Sequence, residues 1–143
     1  MMTLSEHFTL DEFTHSQTAT RMGASNDPPL ELLPALKRTA KGLEAVRTLL
    51  GDLPITVSSG YRSPMVNNLV GSKPYSQHLI GQAVDFTCPA FGTPAQIVQR
   101  IVSSGIEYDQ CILEFGAWVH ISFSDKPRRQ AMVIDKTGAR AYA

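Results

Sequence analysis

The sequence predicts a single α+β domain: one mostly antiparallel sheet with helices packed on it. A chain of 143 residues, 43% hydrophobic and 18% charged, can bury one sizeable core but hardly two. Strand-like runs ("LPITVSSG", "QAVDFTCP", "YDQCILEF", "WVHISFS") are interspersed with helix-like stretches whose apolar residues recur at steps of three and four. The last two strand-like runs are separated only by a short segment around Gly116, for which a β-hairpin is the natural connection, so at least these neighbours run antiparallel.

In "FTLDEFTHS", Thr9 stands three residues before Glu12, a capping-box pattern that predicts a short helix. The loop-like "GASNDPP" at 23–29 follows, and Pro28 and Pro29 can start the next helix. That helix carries Leu33, Leu36, Ala40, Leu43, Val46 and Leu50 on one face and ends at Gly51. The run "LPITVSSG" reads as a strand, "SPMVNNLV" as a short helix with Pro64 at its first position, and "QAVDFTCP" as a second strand. Thr93 caps a helix over "TPAQIVQRIVSSG", which Gly105 terminates. In the second arm of the hairpin, Val119, Ile121 and Phe123 alternate with Trp118, His120 and Ser122. The odd positions are expected in the core and the even ones on a solvent-accessible face or cleft.

Thirteen basic and thirteen acidic residues balance, so no long-range field favours nucleic acid or an anionic membrane. No apolar run approaches the roughly 18 to 20 residues of a membrane span, and "MMTLSEHFTLDEF" lacks the basic and apolar regions of a signal peptide. Cys88 and Cys111 sit in apolar strand-like settings and read as buried free thiols.

The chemistry concentrates in "YSQHLIGQAVDF", where His78 and Asp85 lie close in sequence around Gly81. Alone, the pair equally suits a structural hydrogen bond. His120, on the outward face of its strand, supplies a plausible third ligand, and catalytic zinc typically takes three protein ligands and keeps one position open. His7 and His15 have no matching carboxylate pattern and read as surface residues.

"SSGYRSP", "SQHLIGQAVDF" and "WVHIS", in that order, resemble the zinc D-Ala-D-Ala carboxypeptidase family of peptidoglycan peptidases, including its phage endolysin-like members, over about residues 1–125. The resemblance implies zinc (Zn2+) held by His78, Asp85 and His120, and an Arg62 that stabilises the substrate carbonyl or its oxyanion. The single zinc peptidase domain is expected to comprise an N-terminal flap at 1–27, a catalytic core at 28–125 and a C-terminal extension at 126–143. Ser76 either bonds substrate, orients a ligand or caps a loop. Tyr61 and Trp118 either wall a substrate pocket or pack in the sheet. Several relatives carry an acid three residues before the last histidine, where this chain has Ala117. The general base is therefore assigned to Glu114, which reaches the face of His120 only if an odd-length turn pairs it with Trp118, with Asp109 in reserve.

The expected function is a zinc peptidase hydrolysing peptide stems of bacterial peptidoglycan, as a D,D-carboxypeptidase or an L-alanyl-D-glutamate endopeptidase. The expected setting is a monomeric phage or prophage lysin, made in the cytoplasm without a signal peptide. It acts on the wall in the periplasm after release, or as a virion component, with no nucleic-acid partner and no stable membrane insertion. The alternative is a non-catalytic cell-wall or phage-tail binding module that retains the fold. A structural zinc site is disfavoured, because such sites usually take four protein ligands and no fourth is evident.

Overall fold

The computed structural model describes residues 2–143. Short helices α1 (Leu10–Thr14) and α2 (Gln17–Met22) open the chain, and a 3-10 turn (Leu30–Leu32) leads into the long helix α3 (Leu33–Leu49). Strand β1 (Thr56–Ser59), helix α4 (Pro64–Leu69), a second 3-10 turn (Gln77–Ile80) and strand β2 (Ala83–Thr87) follow. Helix α5 (Pro94–Ser104), the hairpin β3 (Gln110–Glu114) and β4 (Trp118–Ser122), and strands β5 (Gln130–Asp135) and β6 (Gly138–Ala141) complete the domain. The six strands form one sheet in the order β1-β2-β4-β3-β5-β6, antiparallel at every junction except the parallel β3/β5 pair. The result is the expected α+β architecture.

The core lies between the sheet and helices α3 and α5. Leu36, Ala40, Leu43 and Val46 of α3 and Ile97 and Ile101 of α5 pack with Val84, Phe86, Cys111, Val119 and Ile121 of the strands. The predicted odd-in pattern of β4 holds, since Val119 and Ile121 are fully buried. The capping boxes form at Thr9 and Thr93, and Gly105 ends α5 in the left-handed conformation. Both cysteines are buried free thiols. Among the described residues no helix is long and apolar enough to cross a membrane.

Several expectations need correction. The long helix starts at Leu33 rather than at Pro28 or Pro29, because Pro34, which lacks an N–H, takes the first turn. The amino-terminal segment expected as a flap sends Leu4, Phe8 and Phe13 into the main core. The loop at 23–29 is not purely a surface loop: Asn26 is buried, its amide donates to the Thr14 and Tyr61 carbonyls and its Oδ1 accepts from the Ser63 N–H. The segment after 126 adds β5 and β6 to the sheet. The even positions of β4 are also less accessible than expected: His120 is 8% exposed and Ser122 fully buried, its hydroxyl bonded to Gln110 N and Asp109.

Candidate metal centre

His78 sits in the 3-10 turn after Ser76, whose hydroxyl accepts from the His78 N–H at 3.2 Å. Gly81 ends the turn at φ 73°, a conformation that suits glycine. Nδ1 of His78 lies 2.7 Å from the Gly60 carbonyl, a bond in which the ring nitrogen donates. That fixes the tautomer and leaves Nε2 as a lone-pair donor for a metal. Gly60 has no room for a side chain, since a Cβ there would stand 2.3 Å from the Phe13 carbonyl oxygen.

Asp85 and His120 are directly opposite each other in the β2/β4 register, so the sheet itself places them on one face. His120 Nδ1 is 3.0 Å and His78 Nε2 3.2 Å from Asp85 Oδ1. The two imidazoles meet edge to face with centroids 5.1 Å apart. Ligand atoms of all three side chains lie within 4.8 Å of one another.

The donor chemistry fits a divalent metal. His78 is 2% exposed, and its buried Nε2 makes no hydrogen bond among the described residues. Burial pushes the His78 imidazole toward its neutral form. Burial alone would raise Asp85, but when the adjacent imidazoles carry protons, the charge of His78 first and then the His120 hydrogen bond outweigh it and hold the carboxyl well below the usual carboxylate range; a bound metal would take the place of those protons. A neutral imidazole facing a carboxylate is the protonation state metal binding requires.

The hairpin brings Glu114 to the same face. Phe115 (φ 55°) and Gly116 (φ 62°) turn through the left-handed region, and the odd-length loop pairs Glu114 with Trp118 and Ile112 with His120. Glu114 Oε1 lies 3.7 Å from His120 Nδ1. Burial, then the charge of Asp85, raises the Glu114 carboxyl above its ordinary value. Asp109 is placed differently: Arg128, Gln77 and Ser122 engage both its oxygens, and the Arg128 hydrogen bonds hold its carboxyl well below the usual range.

Arg62 follows β1, and its backbone N–H donates to the His78 carbonyl at 3.0 Å. Its Nη1 donates to Asn67 Oδ1 at 3.1 Å, while its buried Nε makes no hydrogen bond among the described residues. Burial lowers its pKa, and the charges of Asp85 and Glu114 oppose that shift. Arg62, Asp85, Tyr61 and Trp118 line a cleft of about 690 Å³. Tyr61 also belongs to the core and is 4% exposed. Trp118 is half-buried, its ring 5.6 Å from that of Phe115 and its indole N–H unpaired among the described residues. Ser76 serves as a cap.

The structure adds residues that sequence reasoning passed over. Ser16, Gln17 and Thr18 join His15 on the cleft wall, facing Thr56, Ser58 and Ser59 of β1. His15 is exposed, as expected of a surface residue, yet it stands at the cleft rim. Gly60 and Asn67, which orient His78 and Arg62, carry no signal in the sequence that names their partners.

Fold and donor group together define an α+β domain able to hold one metal ion beside a cleft that Asp85 also lines. The chain belongs to the Peptidase M15 family, whose model matches residues 6–122. It is similar to the zinc D-Ala-D-Ala carboxypeptidase of Streptomyces albus G, with 46% identity over 43 residues, 30% of this chain. The match spans 17% of the length of that relative.

Proposed function

We propose that this protein is a zinc-dependent peptidase that hydrolyses the peptide stems of bacterial peptidoglycan. The observation that carries the reading is the convergence of His78 Nε2, an Asp85 carboxylate oxygen and His120 Nδ1, with Glu114 beside them as a carboxylate outside the donor group. Family membership and the name of the Streptomyces relative support zinc and a wall peptide as ligand and substrate.

His78, Asp85 and His120 would hold the zinc, which would supply Lewis acidity toward a substrate carbonyl and lower the pKa of water there. Glu114 takes the proton from the attacking water and returns it to the leaving amine; its raised pKa suits both halves of that transfer. Arg62 directs its guanidinium to the carbonyl oxygen as negative charge develops there. Tyr61 and Trp118 wall the cleft, and Ser76 secures the turn that presents His78. The cleft volume of about 690 Å³ accommodates several residues of an extended stem peptide. The protein works as a monomeric phage or prophage lysin.

Mass spectrometry of purified peptidoglycan digested by zinc-loaded protein tests the reading and identifies the bond cut. Release of D-alanine marks a D,D-carboxypeptidase, and a new D-glutamate amino terminus marks an L-alanyl-D-glutamate endopeptidase. Wall binding without any new terminus makes the chain a binding module instead.

A further inference from the structure

The proposed chemistry leaves unused a polar cluster centred on Asp109, which is 2% exposed. Its Oδ1 accepts from Arg128 Nε at 2.9 Å and from the Arg128 backbone N–H at 2.8 Å. Its Oδ2 accepts from Arg128 Nη2 at 2.6 Å and from Gln77 Nε2 at 2.8 Å. Gln77 closes the triangle, since its Oε1 accepts from Arg128 Nη2 at 3.3 Å. Gln77 is the first residue of the 3-10 turn and directly precedes His78. The cluster also reaches the strand that carries His120: Ser122 donates its hydroxyl to Asp109 Oδ2 at 3.4 Å, and the Asp109 N–H donates to the Ser122 carbonyl at 2.8 Å. Arg128 itself comes from the segment beyond the Peptidase M15 match, which ends at residue 122.

We propose that Arg128 and Asp109, acting through Gln77, are positioning residues that hold the His78 turn in register with β4, so that the His78 and His120 nitrogens keep their spacing around Asp85. This inference deepens the zinc reading above and rests on it. Short 3-10 turns have poor internal hydrogen-bond geometry and depend on external contacts. Here the turn gains a carboxylate that forks against a guanidinium, an arrangement that fixes direction as well as distance. An ion pair serving stability alone needs no third member at the residue next to a ligand. Outer partners that orient ligands in this way typically change metal affinity about 10- to 100-fold when removed.

The test is zinc titration of the full chain against a chromophoric chelator, for wild type, Arg128→Ala and Gln77→Ala, together with amide hydrogen exchange at residues 77–81 in metal-free protein. Both variants are expected to keep the wild-type circular dichroism spectrum, bind zinc about 10- to 100-fold more weakly and exchange faster across the turn. Folded variants with wild-type zinc affinity and unchanged turn protection overturn the proposal and leave a structural tether. If Arg128→Ala does not fold, Gln77→Ala decides alone, because it leaves the Asp109–Arg128 pair in place. If wild type binds no zinc, the proposed function fails; hydrogen exchange still decides this inference, faster turn exchange supporting it and unchanged exchange overturning it.

Discussion

Glu114 lies beside His120 and Arg62 shares the cleft lining with Asp85, and each invites a separate measurement. Replacing Glu114 with Gln keeps the shape and removes the proposed base. Zinc content and melting temperature are expected to stay near wild type while kcat on a stem peptide falls about 100- to 10,000-fold. Near-wild-type turnover would transfer the proton chemistry elsewhere. Arg62→Ala is expected to bind zinc normally and lose about 100- to 1000-fold in kcat, the usual cost of an oxyanion donor; an effect on KM alone would make Arg62 a simple binding group. The sequence made the placement of Glu114 conditional on an odd-length turn, because side-chain alternation is local but turn length is not fixed by it, and the three-residue loop around Gly116 meets that condition by pairing it with Trp118. Asn26, Asn67 and Gly60 were illegible for the opposite reason. Their meaning lies in partners such as Tyr61, Arg62 and His78, which only the tertiary fold brings to them.

Among the elements, the junction after β1 is the most constrained. A register shift between Val57 and Ser59 sets Ser59 opposite Asp85, and the next residue, Gly60, passes against the Phe13 carbonyl of α1 while offering its own carbonyl to His78. Gly60→Ala therefore forces the first helix away from the sheet. The expected result is a loss of about 1 to 3 kcal/mol of stability, the ordinary cost of overpacking, together with weaker zinc binding. Thermal melts and chelator competition on one sample check both, and an unchanged melting temperature would show that α1 yields freely. Helix α5 was readable to its ends because Thr93, Pro94 and Gly105 are local signals. Strand β5 was not, since its parallel pairing with β3 is decided by a partner that already has β4 on its other side.

For the whole molecule, acid is the informative perturbation. The folded Asp109 carboxyl is held well below its unfolded value of about 3.9, so its contribution is complete above that value and is lost as pH falls through the lower, folded one. The gap in melting temperature between metal-free wild type and Asp109→Asn is thus expected to be widest near neutral pH and to narrow below about pH 4. A gap constant down to about pH 2 would remove Asp109 from the acid response. The central pairing of β2 with β4 has a further consequence, for the order of events in the life of the chain. Its two proposed metal donors, Asp85 and His120, are separated in sequence by the whole of α5 and β3, so they become neighbours only when that long-range pairing closes. An ion that needs both is expected to be captured only once that pairing has closed. Zinc is therefore expected to raise the melting temperature of the folded chain as free metal increases while leaving the refolding rate of metal-free protein unchanged, and a refolding rate that climbs with zinc would make the metal a template.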